Sequence, residues 1–286
     1  MAKHVVLITA CAAVMLSAQP AAAQGNGRGN AFGHYKSTVP APAPATDATG
    51  APIPGTGVRN FGSWLDDASV MEVGSGFVNV GFGVFKTPVY REVDLPMIDS
   101  GVAIHRRVQL GMSVPYYRGT VDGSPVGRGF GDVYLSAKVQ LREPAPDRAG
   151  FGITPMIEVL SVAPDGASRV NWALPASVEL PRDGWRFYGT GGYFSRGAMF
   201  GSGAVEVELS ERTWISGTIS HSYSLKHDDL SAALGYKKAR TDVSGGFAFA
   251  VRPDLAVYSS LGRTILARDS NSASVMFNAG VSLGFK

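Results

Sequence analysis

Between Val108 and Leu141, two runs with a period of two flank a glycine-rich stretch, and this periodicity constrains the chain more than any other feature. Val108, Leu110, Met112, Val114 and Tyr116 alternate with Gln109, Gly111, Ser113, Pro115 and Tyr117. Val133, Leu135, Ala137, Val139 and Leu141 alternate with Asp132, Tyr134, Ser136, Lys138 and Gln140. Successive strand side chains leave opposite faces, so each run has one apolar face and one polar or small face. About ten residues is the length at which a tilted strand crosses a bilayer. The pair predicts two transmembrane strands joined by an extracellular loop over 118–130.

The plan repeats along the chain. Val78, Val80, Phe82 and Val84 mark a first strand, extended backwards to Met71 and Val73 if Gly74-Ser75-Gly76 is a bulge that flips the phase. The second strand is expected over Leu95–Ile104, and a fifth over Phe151–Val159. Trp172–Leu180 and a strand opening at Trp185 follow, then Val205–Leu209, Ile215–Tyr223, Val243–Val251, Leu255–Ile265 and Val275–Phe285. Bacterial single-chain barrels have even strand numbers, so Leu230–Tyr236 is assigned to a long loop, leaving twelve strands with both ends on one side. Short joins at 105–107, 181–184, 210–212 and 252–254 then face the periplasm, and long ones near 118–130, 224–240 and 265–272 face outward. An unpaired backbone group costs several kcal/mol in hydrocarbon, so the sheet must close. The fold class is therefore all-β, a transmembrane antiparallel up-and-down barrel. Its competitor is a soluble secreted barrel or sandwich, which would turn the apolar faces inward.

Composition supports the membrane reading. The chain has 286 residues, 36 glycines and only 17% charged residues, which suits close-packed strands with small side chains on one face. A formal charge of +3 without a dense basic block argues against nucleic acid. Residues 1–23 read as a Sec-type signal peptide: Lys3 and His4, an apolar core over Val5–Leu16, and a cleavage site at Ala21-Ala22-Ala23. A lipoprotein box around Cys11 has too few apolar residues before it, so Cys11 leaves with the leader and the mature chain is free of cysteine. Residues 24–67 are rich in Gly, Ala and Pro and predict a disordered periplasmic linker ahead of a barrel over 68–286. A tether is the simplest role for that linker; plugging the barrel or touching peptidoglycan are the others.

The run Gly111-Met112-Ser113-Val114-Pro115-Tyr116, followed by Gly129-Phe130-Gly131-Asp132 and an alternating strand, resembles the outer-membrane proteins named for a MetA pathway of phenol degradation. The motifs cover Val108–Leu141, and the hairpin layout extends the likeness loosely to the C-terminus. The resemblance implies an outer-membrane barrel that passes small, hydrophobic or aromatic solutes. The alternative is a structural or surface-interaction barrel without flux.

Parity places Asp99, Asp132, Glu158, Glu179, Glu206 and Glu208, with the bases Lys138 and Arg186, on the inner face as candidate pore-lining residues. A carboxylate surplus favours cations or neutral solutes over anions; a closed polar network is the other outcome. Lys226, Lys237, Lys238 and Arg240 cluster in the long loop as candidate contacts for lipopolysaccharide phosphates. Beyond the leader the histidines are His34, His105, His221 and His227. Ser220 and Ser222 flank His221 but face away from it on a strand, so no catalytic group, metal site or cofactor is assigned. Gly127-x-Gly129-x-Gly131 opens a strand and not a helix, so it is no phosphate loop. The expected setting is the outer membrane of a Gram-negative bacterium, with lipid, lipopolysaccharide and a small solute as partners. The final strand ending at Phe285 resembles the signal read by the barrel-assembly machinery, although Lys286 follows it.

Overall fold

The computed structural model describes residues 65–88, 90–121, 124–160, 169–195, 197–225, 237–266 and 272–286. The leader, the linker up to residue 64, the Leu230–Tyr236 loop assignment, His34, His227 and Lys226 lie outside the described residues.

The strands are β1 (Gly76–Lys86), β2 (Tyr90–His105), β3 (Val108–Val121), β4 (Ser124–Phe130), β5 (Val133–Arg142), β6 (Gly150–Ile153) and β7 (Met156–Val159). They continue with β8 (Val170–Arg182), β9 (Trp185–Phe194), β10 (Ala198–Ser210), β11 (Thr213–Ser224), β12 (Ala239–Arg252), β13 (Leu255–Leu266) and β14 (Val275–Phe285). All pairings are antiparallel, and β1 meets β14 from Gly76↔Phe285 to Lys86↔Val275, which closes the sheet. β4 and β5 both pair with β3, while β6 and β7 both bridge β5 and β8, so the segments make twelve crossings. The fifth crossing breaks at Thr154-Pro155 because Pro155 has no N–H for the ladder. Local bonds repair the gap: Thr154 N donates to Pro175 O at 2.9 Å and Ala137 N to Pro155 O at 3.0 Å.

The alternation has the polarity of a membrane barrel. Leu110, Met112, Ile157, Leu174, Ile219, Leu261 and Leu283 are exposed, whereas Asn79, Ser113, Lys138, Glu158, Glu179, Asn278 and Ser282 are buried. A soluble barrel would reverse the two sets, so that alternative fails. Trp172, Trp185 and Phe285 join the outer apolar surface near the strand ends.

Several expectations need correction. β2 starts at Tyr90, not near Leu95, with an irregularity between Asp94 and Met97. Residues 118–130 are not simply a loop: β3 and β4 carry the ladder on to Val121↔Ser124. Backbone pairing needs no hydrophobic alternation, so a glycine-rich polar stretch can extend a hairpin above the membrane. Met71 and Val73 are not part of β1. Glu72–Ser75 form a turn, with Ser75 N bonded to Glu72 O and Gly74 N to Ala103 O, both at 2.9 Å. Gly74 takes a φ of 84°, which glycine adopts without strain. The phase change there is a chain reversal and not a bulge.

The inner face is also less uniformly polar than parity suggested. Val70, Met71, Phe77 and Ala103 pack together at the end carrying the short turns, and Trp214, Ala248, Ala250 and Tyr258 do the same across the lumen. Tyr134, Met156, Ala173, Phe194 and Phe200 form an aromatic layer nearer the opposite end. A belt of charge lies between these apolar layers.

Candidate functional site

Residues 65–71 are the origin of that belt. They are buried throughout, and they run along the inner wall of β5–β10 as a strap leading into the Glu72–Ser75 turn. The boundary expected between residues 67 and 68 therefore cuts through a segment seated inside the barrel. The composition of 24–67 concealed this, because its many Gly, Ala and Pro residues outweigh the apolar and acidic run Trp64-Leu65-Asp66-Asp67 at its end.

Side chains from the wall take four successive strap carbonyls. Thr190 Oγ1 donates to Asp66 O at 2.6 Å, Ser177 Oγ to Asp67 O at 2.9 Å, Gln140 Nε2 to Ala68 O at 3.1 Å and Lys138 Nζ to Ser69 O at 3.1 Å. Asp66 N donates back to Thr190 Oγ1 at 2.7 Å, and Met71 N to Gln109 Oε1 at 3.3 Å. An irregular segment leaves its backbone groups without ladder partners, and a buried group left unbonded is costly. Small hydroxyl and amide side chains at alternate wall positions meet that need.

The charges interlock. Lys138 Nζ lies 2.8 Å from both Asp66 Oδ1 and Asp67 Oδ1. Arg186 reaches Asp67 Oδ2 at 3.0 Å through Nη1, Glu206 Oε1 at 2.7 Å through Nε, and Glu179 Oε1 at 3.6 Å. Its guanidinium stacks 4.6 Å from the Tyr188 ring centroid. Ser69 Oγ donates to Glu179 Oε2 at 2.8 Å, and Thr154 Oγ1 to Asp66 Oδ2 at 3.0 Å. Leu65 packs on Tyr188 and Ala204 just beyond. Among the described residues the ion pairs of Lys138 are to Asp66 and Asp67, so its bonds report on the strap directly.

The predicted inner-face set thus divides. Lys138, Glu179, Arg186 and Glu206 come together beneath the strap. Glu158 sits in the aromatic layer, where the Tyr134 hydroxyl donates to it. Asp99 and Asp132 are buried on the β2 wall and just before β5. Glu208 keeps the inward parity, directly opposite Trp214, but it is exposed at the rim beside the 211–212 turn and outside the belt. Parity alone missed Asp66 and Asp67, which lie on no strand. The only hint was two adjacent carboxylates after Trp64-Leu65, in a linker whose sole other acid is Asp47.

The opposite wall has different chemistry. Ser216, Thr218, Ser260, Asn278, Ser282 and Asn79 face inward from β11, β13, β14 and β1, and the buried carboxylate among them is Asp242 of β12. The amide of Asn278, the Oδ1 of Asn79 and the Oγ of Ser216 make no hydrogen bond to a described residue, although all three residues are buried. Buried polar groups of this kind are normally met by water, and Ser113 Oγ and Asn171 Nδ2 share that need on the strap side of the lumen.

Of the predicted lipopolysaccharide cluster, three residues are described, and Arg240 is set apart from the two lysines. Arg240 shares the inner face with Asp242 and binds it at 3.0 Å, while Asp242 also accepts from Thr264 Oγ1 at 2.6 Å. Lys237 and Lys238 are exposed, and Lys226 lies outside the described residues. His221 is outward-facing and its Nδ1 lies 2.8 Å from Thr241 Oγ1, while Ser220 is buried on the inner side.

Neither a protein-family model nor a curated protein matches this chain. Solved structures do. A NanC porin aligns with a TM-score of 0.53 at 11% identity, over 72% of this chain and 98% of that one. A KdgM porin aligns at 0.47 with 10% identity, over 73% and 99%, and the CymD monoaromatic hydrocarbon channel at 0.43 with 10% identity, over 75% and 88%. At such identity the likeness to the NanC porin concerns the fold alone: a closed antiparallel β-barrel.

Proposed function

We propose that this chain is an outer-membrane channel for small solutes, held shut near its periplasmic end by residues 65–71. One observation carries the reading: a short irregular segment is seated by buried ion pairs against one wall, while the facing wall carries small hydroxyl and amide groups between an apolar cluster at one end and the Arg240–Asp242 pair at the other. A barrel with a purely structural role gains nothing obvious from such a belt, because well-packed apolar residues fill an interior at least as stably as buried ion pairs. The route runs along the hydroxyl and amide wall and not along the carboxylates, which the strap engages. Solutes that are small and neutral suit it. The resemblance of Val108–Leu141 to the phenol-degradation family narrows the class to small aromatic or hydrophobic molecules, and the aromatic layer around Phe194 and Phe200 gives them an apolar contact on the way.

The remaining assignments belong to the same reading. The leader over 1–23 exports the chain, the barrel-assembly machinery inserts it through the strand ending at Phe285, and the outer membrane of a Gram-negative bacterium is its place. The second reading, a structural barrel without flux, draws on the burial of nearly all inward side chains.

Conductance of the refolded mature chain in a planar bilayer separates the two, with a variant lacking residues 24–71 alongside it. Removing the strap leaves Lys138 and Arg186 beside Glu179 and Glu206, two charges of each sign. The channel reading expects rare openings in the intact chain and sustained steps in the shortened one. A shortened barrel that folds, shown by heat-modifiable migration, yet stays silent would reject the channel.

A further inference from the structure

We propose that the outer surface at the extracellular ends of β1–β4 binds the phosphate groups of an anionic outer-leaflet lipid, of the bis-phosphorylated glycolipid class to which lipopolysaccharide belongs. The proposal rests on the barrel's lying in an outer membrane and not on the channel reading.

Four cations meet on this surface. Lys86 at the end of β1 is directly opposite Arg91 on β2, and Arg118 on β3 is directly opposite Arg128 on β4. Arg91 pairs with Thr120 and Val93 with Arg118, so the two cation pairs are diagonal neighbours. Residues directly opposite on an antiparallel pair share a face. That face is the outer one: all four are exposed, whereas Glu92 and Asp94 on the alternate parity of β2 are buried. The nearby carboxylates therefore face the other side of the wall, and none of the four cations makes an ion pair with a described residue. Like charges directly opposite one another are destabilising, so the surface is built to be relieved by an anion from outside the chain.

Position chooses the anion. Outward-facing Val108, Leu110, Met112, Val114 and Tyr116 lead up β3 to Arg118. Ten residues at a strand rise near 3.3 Å, tilted by roughly 40°, climb about 25 Å, the height of the apolar band of such barrels. The cations thus sit where hydrocarbon gives way to headgroups. Directly beneath them Tyr116 and Phe130 pack edge to face at 5.6 Å, and Phe82 and Phe277 lie 5.5 Å apart, a floor suited to acyl chains. A soluble polyanion would not need that floor. The cations span three inter-strand steps of about 4.8 Å each, wide enough for two phosphates on one headgroup. Arginine is the favoured partner because its planar fork binds phosphate oxygens in pairs. Sequence alone pointed to the lysines of the 224–240 loop instead, because the β3–β4 hairpin that brings Arg128 beside Arg118 is not visible as an alternating pattern.

The test uses the full mature protein in detergent, with bis-phosphorylated lipopolysaccharide, its dephosphorylated form and soluble tripolyphosphate as probes, read by native mass spectrometry and titration. The expected result is binding of the phosphorylated lipid at least about tenfold tighter than either other probe. K86Q/R91Q/R118Q/R128Q should lose that advantage, and K237Q/K238Q should keep it. Because glutamine removes a repulsion at exposed sites, the fourfold variant should melt no lower than the parent in phosphate-free detergent. Equal binding of the two lipids, tripolyphosphate binding as tight as lipid, or loss on K237Q/K238Q alone would each overturn the proposal.

Discussion

Replacing Lys138 by methionine removes a charge from the strap with little change of shape. The ammonium is almost wholly buried and holds Asp66 Oδ1 and Asp67 Oδ1 at 2.8 Å and Ser69 O at 3.1 Å. Asp67 retains Arg186 at 3.0 Å, while Asp66 retains the Thr154 hydroxyl and the Asp67 N–H, both neutral donors at 3.0 Å. Removing one member of a buried pair costs about 3–5 kcal/mol, largely because the other charge stays buried. Undocking of residues 65–71 returns the aspartates to water, so the penalty falls on the docked strap and not on the sheet. At about 1.4 kcal/mol per factor of ten, the docked-to-undocked ratio should fall by about two to three and a half orders of magnitude. The assay is labelling of L65C by a membrane-impermeant maleimide, in a chain whose only other cysteine, Cys11, lies in the expected leader. K138M should raise the labelling rate by at least about a hundredfold and lengthen channel openings. Adding D66N to K138M should restore part of the docking, since the buried charge left without its cation is then gone. A K138M barrel that folds, labels at the parent rate and conducts like the parent would refute the claim that these ion pairs hold the strap.

Other changes have separate signatures. Tyr134→Phe deletes the hydroxyl that serves buried Glu158 and should lower stability by about 1–3 kcal/mol, read as a lower midpoint of heat-modifiable migration. Trp214→Ala opens a cavity in the apolar layer with Ala248, Ala250 and Tyr258, at a cost of about 3–5 kcal/mol in urea unfolding from lipid. Ile219→Arg puts a charge on the exposed outer wall and should cost about 2–4 kcal/mol if that wall faces hydrocarbon; a neutral result would argue against membrane burial there. In the barrel lacking residues 24–71, Glu206→Gln should alter ion selectivity because it frees Arg186 Nε, whereas Glu208→Gln at the rim should not.

The wall of this barrel was readable from alternation because a strand's period of two needs no knowledge of its neighbours. Leu110, Leu174, Ile219 and Leu283 fall on the outer face where parity put them. Hydrocarbon imposes one sign on one face, so each strand announces itself locally. The contents of the lumen were not announced in that way. Parity could say that Lys138 and Arg186 point inward, but not that their partners would be Asp66 and Asp67, residues 71 and 119 positions away along the chain and on no strand. Likewise Arg118 and Arg128 become neighbours only through a hairpin whose glycine-rich limbs carry no hydrophobic period. Pairing across the chain depends on closure and register, which local pattern does not encode, so the wall was determined residue by residue and the charged belt and the cation patch only by the closed tertiary structure.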